Sequence, residues 1–203
     1  MKNSRSTLLI AGAVWLLLVS LGFASMNTFA GTAGVPGNAP VMWPADSSIA
    51  LDPSKLTLVL VLHPKCACSI ASVHELARVL EHAKSPVKTY LLFTLPLDAD
   101  ESWRRGAIYQ KAAALPDSTV FIDNGSQEAA RLGAFTSGQT LLYRPDGTLI
   151  FQGGITYARG HEGDNEGSVM LLKTIETFGE RPAAETSGNV FGCSLWDPSE
   201  APQ

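Results

Sequence analysis

Length, composition and charge limit the classes of protein to which this chain can belong. It has 203 residues, three cysteines, 17% charged residues and a formal net charge of −4. After the terminal segments are set aside, about 140 residues remain, which is enough for one domain with a full hydrophobic core. Because the chain is acidic overall and has no run of basic residues, we do not expect it to bind nucleic acid.

The N-terminal region predicts a membrane anchor. Lys2 and Arg5 precede an apolar run over Leu8–Ala24, which is close to the lower limit for a membrane-spanning helix, where roughly 20 residues are typical. Basic residues before such a run keep the N-terminus in the cytoplasm, so the rest of a single-pass chain is expected on the periplasmic or extracytoplasmic side of the cell membrane. The alternative is a cleaved signal peptide and a secreted protein, since Gly22-Phe23-Ala24 and Thr28-Phe29-Ala30 offer cleavage sites with small residues. Disulfides persist in either location.

The chain is expected to divide into four segments. An anchor or signal peptide over 1–30 is followed by a linker rich in glycine and proline over 31–53, which we expect to act as a tether. A folded domain over 54–180 comes next, and a tail over 181–203 that contains Cys193 ends the chain.

The domain opens with a strand that delivers two cysteines to a helix. Thr57–Leu62 is an apolar run that contains β-branched residues, a pattern typical of a strand buried on both faces. It breaks at His63-Pro64, and apolar residues then recur at three- and four-residue steps, which predicts a helix. Cys66 and Cys68 lie between the two elements, followed by Ser69, whose hydroxyl can cap the helix. The helix dipole favours a thiolate at this end, so the arrangement is typical of redox-active thiols.

The remaining elements alternate along the chain. We predict the strand Val87–Thr94, the helix Ser102–Ala114, the strand Thr119–Ile122, the helix Ser126–Leu132, the strands Thr140–Tyr143 and Thr148–Gln152, and the helix Ser168–Phe178. The two late strands are joined by Arg144-Pro145-Asp146-Gly147, a strong hairpin signal. This order predicts an α/β fold with a central mixed sheet: right-handed crossovers join parallel strands, helices cover both faces, and the hairpin forms an antiparallel edge.

The element order and the position of Cys66 resemble the thioredoxin-like superfamily over Leu56–Phe178. More narrowly, the motifs HPKCACSIASVHEL, GGITYARGHEGDNEG and VFGCSL are similar to those of a small family of membrane-anchored, thioredoxin-like proteins, the RedB type. The superfamily resemblance implies a thioredoxin-like fold and thiol–disulfide oxidoreductase chemistry, with Cys66 as the attacking cysteine. Because the N-terminal segment places the domain outside the cytoplasm, the partners expected for this chemistry are thiols or disulfides of exported proteins.

The chain departs from the superfamily's pattern at two positions. Ser69 stands where the second cysteine of the usual Cys-x-x-Cys pair lies, and Cys68 comes one residue earlier. The candidate catalytic residues are therefore Cys66, Cys68 and Ser69, with Cys68 or Cys193 as the partner of Cys66. Gln139 stands where the superfamily has a cis-proline, and we expect a trans bond because a cis bond without proline costs about 2.5–4 kcal/mol. Its amide is a candidate contact for the substrate or for Cys66.

A second unusual stretch, Gly153–Gly167, is predicted to be a loop. Its length and its glycines favour a functional role, since binding residues concentrate on such loops. Arg159 and His161 are the candidate substrate-binding residues, because this pair suits an anion or a thiolate. The alternative is a solvated connection in which Asp164 or Asn165 caps the last helix.

The cysteines also allow two other functions. Cys66, Cys68 and Cys193, together with His161 or His63, are the right types of ligand for copper(I) or zinc, which would make the chain a metal-binding or metallochaperone module. The oxidoreductase hypothesis needs no cofactor. A third possibility is an anchored interaction domain without enzymatic activity, which predicts no reactive thiol.

The tail contains one apolar patch, centred on Cys193. Phe191 and Leu195 flank this cysteine, and Val190 and Trp196 lie beyond them. We therefore expect this part of the tail to dock on the domain. Three cysteines in an exported domain leave one without a partner. Cys193 is accordingly a candidate for a disulfide, or for shared metal ligation, with the centre formed by Cys66 and Cys68.

Overall fold

The computed structural model describes residues 2–178 and 188–195. The predictions that fall on 179–187 and 196–203, including Trp196 and the end of the domain at 180, lie outside the described residues. The first element is the helix α1, Lys2–Gly31, which continues past the predicted apolar run. Within its segment Ser4–Gly31, the most apolar window of 18 residues has a mean hydropathy of 2.3 and is not buried against the rest of the chain. It is long and apolar enough to cross a membrane, a property that signal sequences share.

A five-stranded mixed sheet forms the centre of the domain. Its strands are β1 (Leu56–Leu62), β2 (Val87–Leu95), β3 (Ser118–Asn124), β4 (Thr140–Tyr143) and β5 (Leu149–Gly153), in the spatial order β3-β2-β1-β4-β5. β1, β2 and β3 run parallel, β4 is antiparallel to β1, and β5 is antiparallel to β4. The predicted mixed sheet with a hairpin edge is confirmed, and the fold is thioredoxin-like.

Helices cover both faces of this sheet. They are α2 (Ala67–His82), α3 (Ala107–Ala113), α4 (Gln127–Arg131) and α5 (Glu166–Glu176). Alternate residues of β1 enter two separate cores, because successive side chains of a strand point to opposite faces. Leu58 and its even-numbered neighbours pack with side chains of α2, α3 and α5, whereas Val59 and Val61 pack with side chains of α4 and of the chain before β1.

One predicted helix is interrupted. In place of a continuous helix over Ser102–Ala114, the chain forms a short 3₁₀ helix at Glu101–Arg104, and α3 begins only at Ala107. The residue before α3, Gly106, has extended backbone with φ −67° and ψ 157°. Glycine disfavours helix because it loses the most backbone entropy there, so the helix breaks at this residue.

The segment between α1 and β1 lies along the domain. Gly34 N–H donates to the Val190 carbonyl at 2.8 Å, and Asn38 N–H donates to the Gly133 carbonyl at 2.9 Å. Further along, the Trp43 ring packs edge-on against Tyr143, with 4.9 Å between centroids. This segment therefore runs over the sheet face that α4 covers.

Candidate active site

Cys66 lies where the carboxyl end of β1 turns into α2. It is the N-cap residue of the helix, with extended backbone, and its side chain caps no backbone amide. Its N–H donates to the His63 carbonyl at 3.1 Å, and its own carbonyl accepts from Ser69 N–H at 3.1 Å. Only 4% of the residue is exposed. The thiol therefore sits at the positive end of the α2 dipole, sheltered from water.

The predicted cap at Ser69 is wrong. The helix begins at Ala67, so Ser69 is its third residue and is fully buried. Its hydroxyl reaches back and accepts the N–H of His63 at 3.1 Å. Ser69 therefore fastens the end of β1 to the first turn of α2, and in this way it positions the loop that carries Cys66.

Cys193 lies beside Cys66, on the described tail segment 188–195. The two Sγ atoms are 2.8 Å apart. The segment pairs with the chain before β4: an antiparallel bridge joins Ser194 to Thr136, and Leu195 N–H donates to the Phe135 carbonyl at 3.0 Å. The part of the tail around Cys193 is thus docked on the domain.

Cys68 completes a cluster of three thiols. It lies in the first turn of α2 and is 8% exposed. The three sulfur atoms of Cys66, Cys68 and Cys193 all lie within 4.8 Å of one another. All three cysteines are free thiols. The cluster can therefore exchange protons, form a disulfide between two of its members, or act together on a soft metal ion.

The three thiols have very different affinities for a proton. The pKa of Cys66 falls to about 4, because its thiolate accepts hydrogen bonds from the thiol of Cys68, from the thiol of Cys193 and from the hydroxyl of Ser137, while burial opposes the shift. The pKa of Cys68 is raised, mainly because its thiol donates a hydrogen bond to Cys66 and also because it is buried. The pKa of Cys193 is raised to about 11, mainly because the thiol is buried and also because it donates a hydrogen bond to Cys66. One thiolate and two thiols are therefore the stable state near neutral pH.

Ser137 is a site residue that the sequence analysis missed. Its hydroxyl lies 3.4 Å from Cys66 Sγ and also accepts the N–H of Cys193 at 2.9 Å. Its own N–H donates to the Cys193 carbonyl at 2.9 Å. Its position could have indicated a role, because Ser137 lies two residues before the place where the superfamily has its cis-proline.

Gln139 does not face the cysteines. Its peptide bond is trans, as expected. Its carbonyl accepts from Val61 N–H at 2.9 Å, and its side chain is buried against Gly37, with the amide nitrogen 3.5 Å from the Gly133 carbonyl. The predicted substrate contact is therefore covered by the segment between α1 and β1.

Arg159 reaches the cysteine centre, whereas His161 remains in the loop. The guanidinium of Arg159 donates to the carbonyl of Gly192, next to Cys193, and its Nε donates to the carbonyl of Thr32 at 3.0 Å. Its charge acts on Cys68 and Cys193. His161 is exposed, and its Nδ1 lies 2.8 Å from the Arg159 carbonyl. At the end of this loop, the side chain of Asn165 caps α5 by accepting from Ser168 N–H at 2.8 Å. The predicted cap on the last helix is therefore confirmed.

Arg159 also contacts the end of α1. Its N–H donates to the Ala30 carbonyl at 2.9 Å, and its guanidinium carbon lies 4.9 Å from the centre of the Phe29 ring. One residue thus connects the last turn of the apolar helix to the segment that carries Cys193.

His63 and Lys65 precede Cys66 in the chain, and both pack against Trp103. The ring of His63 packs edge-on against Trp103 with 5.8 Å between centroids, and its buried Nδ1 has no hydrogen-bond partner among the residues that the structure describes. Burial lowers the pKa of His63, while the Cys66 thiolate opposes that shift. The ammonium of Lys65 lies 3.5 Å from the centre of the Trp103 ring, so Lys65 is engaged in a cation–π contact.

No family model matches the chain, and no curated protein matches it by sequence. Two solved structures are similar, each with a TM-score of 0.58 and 16% sequence identity. One is an uncharacterized conserved protein from Geobacillus kaustophilus, with 83% of this chain and 94% of that chain covered. The other is a hypothetical protein from Sinorhizobium meliloti 1021, with 82% and 96% covered.

The thioredoxin domain of a thiol-disulfide oxidoreductase from Bacteroides vulgatus is also similar, with a TM-score of 0.44 and 17% identity over 72% of this chain and 97% of that one. At these identities the likeness extends to the fold alone. The fold and the site together define a protein with a thioredoxin-like fold and a centre of three cysteines beside the start of α2.

Proposed function

We propose that the chain is a thiol–disulfide oxidoreductase in which Cys66 is the nucleophile and Cys193 is the resolving cysteine. The observation that carries this proposal is the distance of 2.8 Å between their sulfur atoms. The low pKa of Cys66 supports the assignment of roles, because the thiolate is the attacking species in disulfide exchange. Cys193 takes the place of the second cysteine that the local sequence lacks.

The exchange proceeds in two steps. The Cys66 thiolate attacks one sulfur of the partner's disulfide, forms a mixed disulfide and releases the other partner sulfur as a thiolate, which takes a proton from water. Cys193 then attacks Cys66 Sγ, and the second partner sulfur leaves and takes the proton that Cys193 gives up. The partner disulfide is reduced by two electrons to two thiols, and Cys66 and Cys193 are oxidised to a disulfide. A dithiol of another exported protein restores the reduced state by the same exchange.

The neighbouring groups hold the attacking thiolate. The thiol of Cys68 and the hydroxyl of Ser137 stabilise the charge on Cys66, and Ser137 also fixes the backbone of Cys193. Ser69 is a positioning residue, since it contacts the backbone of His63 and not the thiol. Because only 4% of Cys66 is exposed, the partner gains access when the segment 188–195 moves away from α2.

The pairing is tested by oxidation of the full chain in detergent, followed by non-reducing peptide mapping. We expect a peptide that contains Cys193 to be linked to one that contains Cys66. The same linkage is expected in Cys68→Ser and must be lost in Cys193→Ser. Exchange with a model peptide disulfide, monitored by mass, should trap a mixed disulfide on Cys66 in Cys193→Ser. A chain that forms neither linkage would refute the oxidoreductase proposal and would leave the metal-binding module and the anchored interaction domain as alternatives.

We also propose that α1 stays in the membrane and holds the domain on the periplasmic or extracytoplasmic side, as the RedB-type resemblance implies. Lys2 and Arg5 before the apolar run support this orientation, and thiols or disulfides of exported proteins would be the partners. The chain should remain in membranes after carbonate extraction, and its tail should be cleaved by protease added from outside the cytoplasm. Release of a shortened chain would show the secreted alternative, in which the segment is a cleaved signal peptide.

A further inference from the structure

We propose that the reduced centre binds one monovalent copper ion through the sulfur atoms of Cys66, Cys68 and Cys193. The three sulfur atoms lie within 4.8 Å of one another, and they form the only group of at least three potential ligands among the residues that the structure describes. This site goes beyond disulfide exchange, in which Cys66 and Cys193 form the bond and Cys68 acts only as a hydrogen-bond donor to Cys66.

The donor set favours a soft ion. Thiolate sulfur selects copper(I), zinc and iron–sulfur clusters over the hard cations that prefer carboxylate and carbonyl oxygen. The ligand group holds three sulfur atoms and no carboxylate or imidazole. Magnesium, calcium and manganese are therefore poor occupants of this centre.

The number of ligands separates copper(I) from zinc. Zinc is normally four-coordinate, so a zinc ion here would need either a fourth protein ligand or a bound water at this buried centre. Neither His161, which is exposed and hydrogen-bonded to its own loop, nor His63 belongs to the group of ligand atoms. Three sulfur atoms suffice for a three-coordinate copper(I) ion. The sequence-based alternative with His161 as a ligand is thus replaced by a site made of cysteines alone.

The centre is organised before a metal arrives. Cys66 and Cys68 are fixed by the start of α2, and Cys193 is fixed by its two hydrogen bonds to Ser137. Cys66 and Cys68 are 4% and 8% exposed, so water has little access to the ion. The helix N-terminus and the nearby charge of Arg159 offset the negative charge that three thiolates leave after one monovalent ion has bound.

Copper binding and disulfide formation exclude each other. Copper(I) replaces the thiol protons, which pass to water, and no electrons are transferred. Oxidation of Cys66 and Cys193 to a disulfide removes two of the three ligands, so the oxidised chain should not hold the ion. The centre would therefore take up copper(I) only in its reduced state.

The test is a titration of the reduced full chain with copper(I) in detergent without oxygen, in competition with the chromophoric chelator bicinchoninate. We expect one copper per chain, with an X-ray absorption spectrum showing sulfur ligands and no imidazole. Loss of a residue that only hydrogen-bonds to a metal ligand typically lowers metal affinity about 10- to 100-fold. Cys68 is proposed as a ligand itself, so Cys68→Ser should weaken binding by more than about 100-fold. The matched controls His161→Ala and His63→Ala should bind as the unchanged chain does, and circular dichroism checks that each variant is folded.

Three results would overturn the proposal: no copper retained against the chelator, unchanged affinity in Cys68→Ser, or a spectrum with nitrogen ligands and weaker binding in a histidine variant. The readout is chelator absorbance, so it is independent of disulfide exchange. A chain that binds copper but fails in exchange would refute the oxidoreductase proposal alone, and the reverse result would refute only the copper site.

Discussion

Ser137 holds the backbone of Cys193 by two hydrogen bonds. Its N–H donates to the Cys193 carbonyl and its hydroxyl accepts the Cys193 N–H, each at 2.9 Å. The same hydroxyl lies 3.4 Å from Cys66 Sγ. A single residue therefore holds the backbone of Cys193 and, through its hydroxyl, stabilises the thiolate of Cys66.

Replacing Ser137 should weaken both effects. In Ser137→Ala the Cys66 thiolate loses a donor, so its pKa should rise, and the Cys66–Cys193 disulfide should form more slowly. Thiolate absorbance against pH and the rate of disulfide formation measure the two effects. Ser118→Ala is a matched control, because Ser118 is bonded to the carbonyls of Ala112 and Leu115 and lies level with the start of β1, whereas Cys66 follows the end of β1. If Ser137→Ala and Ser118→Ala had the same Cys66 pKa and the same rate of disulfide formation, Ser137 would not have the role assigned to it.

The Cys66 thiol should titrate in the acid range. Its pKa of about 4 predicts that the absorbance of one thiolate, taken as the difference between the reduced chain and Cys66→Ser, appears as pH rises through about 4 and changes little between pH 6 and 8. A free thiol would titrate near about pH 8.5 instead. A midpoint near that value would show that the surrounding donors do not hold the thiolate.

The same shift links stability to pH. Between about pH 4 and about pH 8.5 the unfolded chain keeps the Cys66 proton that the folded chain has lost, so the free energy of unfolding should rise with pH, by up to about 1.4 kcal/mol per pH unit. Above about pH 8.5 the raised pKa of Cys193, about 11, reverses the trend, because the folded chain then keeps a proton that the unfolded chain releases. Urea unfolding of the reduced chain measures both limbs. In Cys66→Ser the free energy of unfolding should not rise between about pH 4 and about pH 8.5. An equal dependence on pH in this variant and in the unchanged chain would contradict the proposed link between stability and the Cys66 pKa.

Arg159 should control access to the centre. In Arg159→Ala the bonds to Gly192 and Thr32 are lost, so the segment 188–195 should leave α2 more often and iodoacetamide should label Cys66 faster. Labelling rates are read by mass spectrometry of the reduced chain. Arg105→Ala removes an exposed arginine that pairs with Glu101 and should leave the rate unchanged. Equal rates in the two variants would mean that Arg159 does not restrain this segment.

A buried carboxylate holds the loop between β5 and α5 in place. Glu75 is 3% exposed, contacts Arg78, and accepts the N–H of Gly163 at 2.6 Å. Glu75→Ala leaves that amide without a partner and should lower the free energy of unfolding by about 1–3 kcal/mol. Glu81→Ala, on the exposed side of the same helix, should change it by less than about 0.5 kcal/mol. Urea unfolding compares the two, and a similar loss in both would rule out the anchoring role.

The parts of the fold that follow from local pattern were predictable from the sequence. The apolar run of β1, the periodicity of α2 and the turn before β5 each depend on neighbouring residues, so the order of elements along the chain, the hairpin edge and Cys66 at the strand–helix junction could be expected. Gly106 was a visible helix breaker, but the apolar residues on either side of it suggested one helix. The roles of Ser137 and Ser69 depend on contacts made across the fold. Nothing near them in sequence reveals such contacts.

Arg159 contacts Phe29, Ala30 and Thr32, so the end of α1 is joined directly to the cysteine centre and not through a flexible linker. A domain on a loose tether could sample a wide volume above a bilayer, with its thiols facing any direction. Here, when α1 lies in a membrane, the centre keeps one height and one orientation relative to the lipid. On the proposed function, the centre would then meet its partners by diffusion in two dimensions, and their disulfides would have to be presented at that same level.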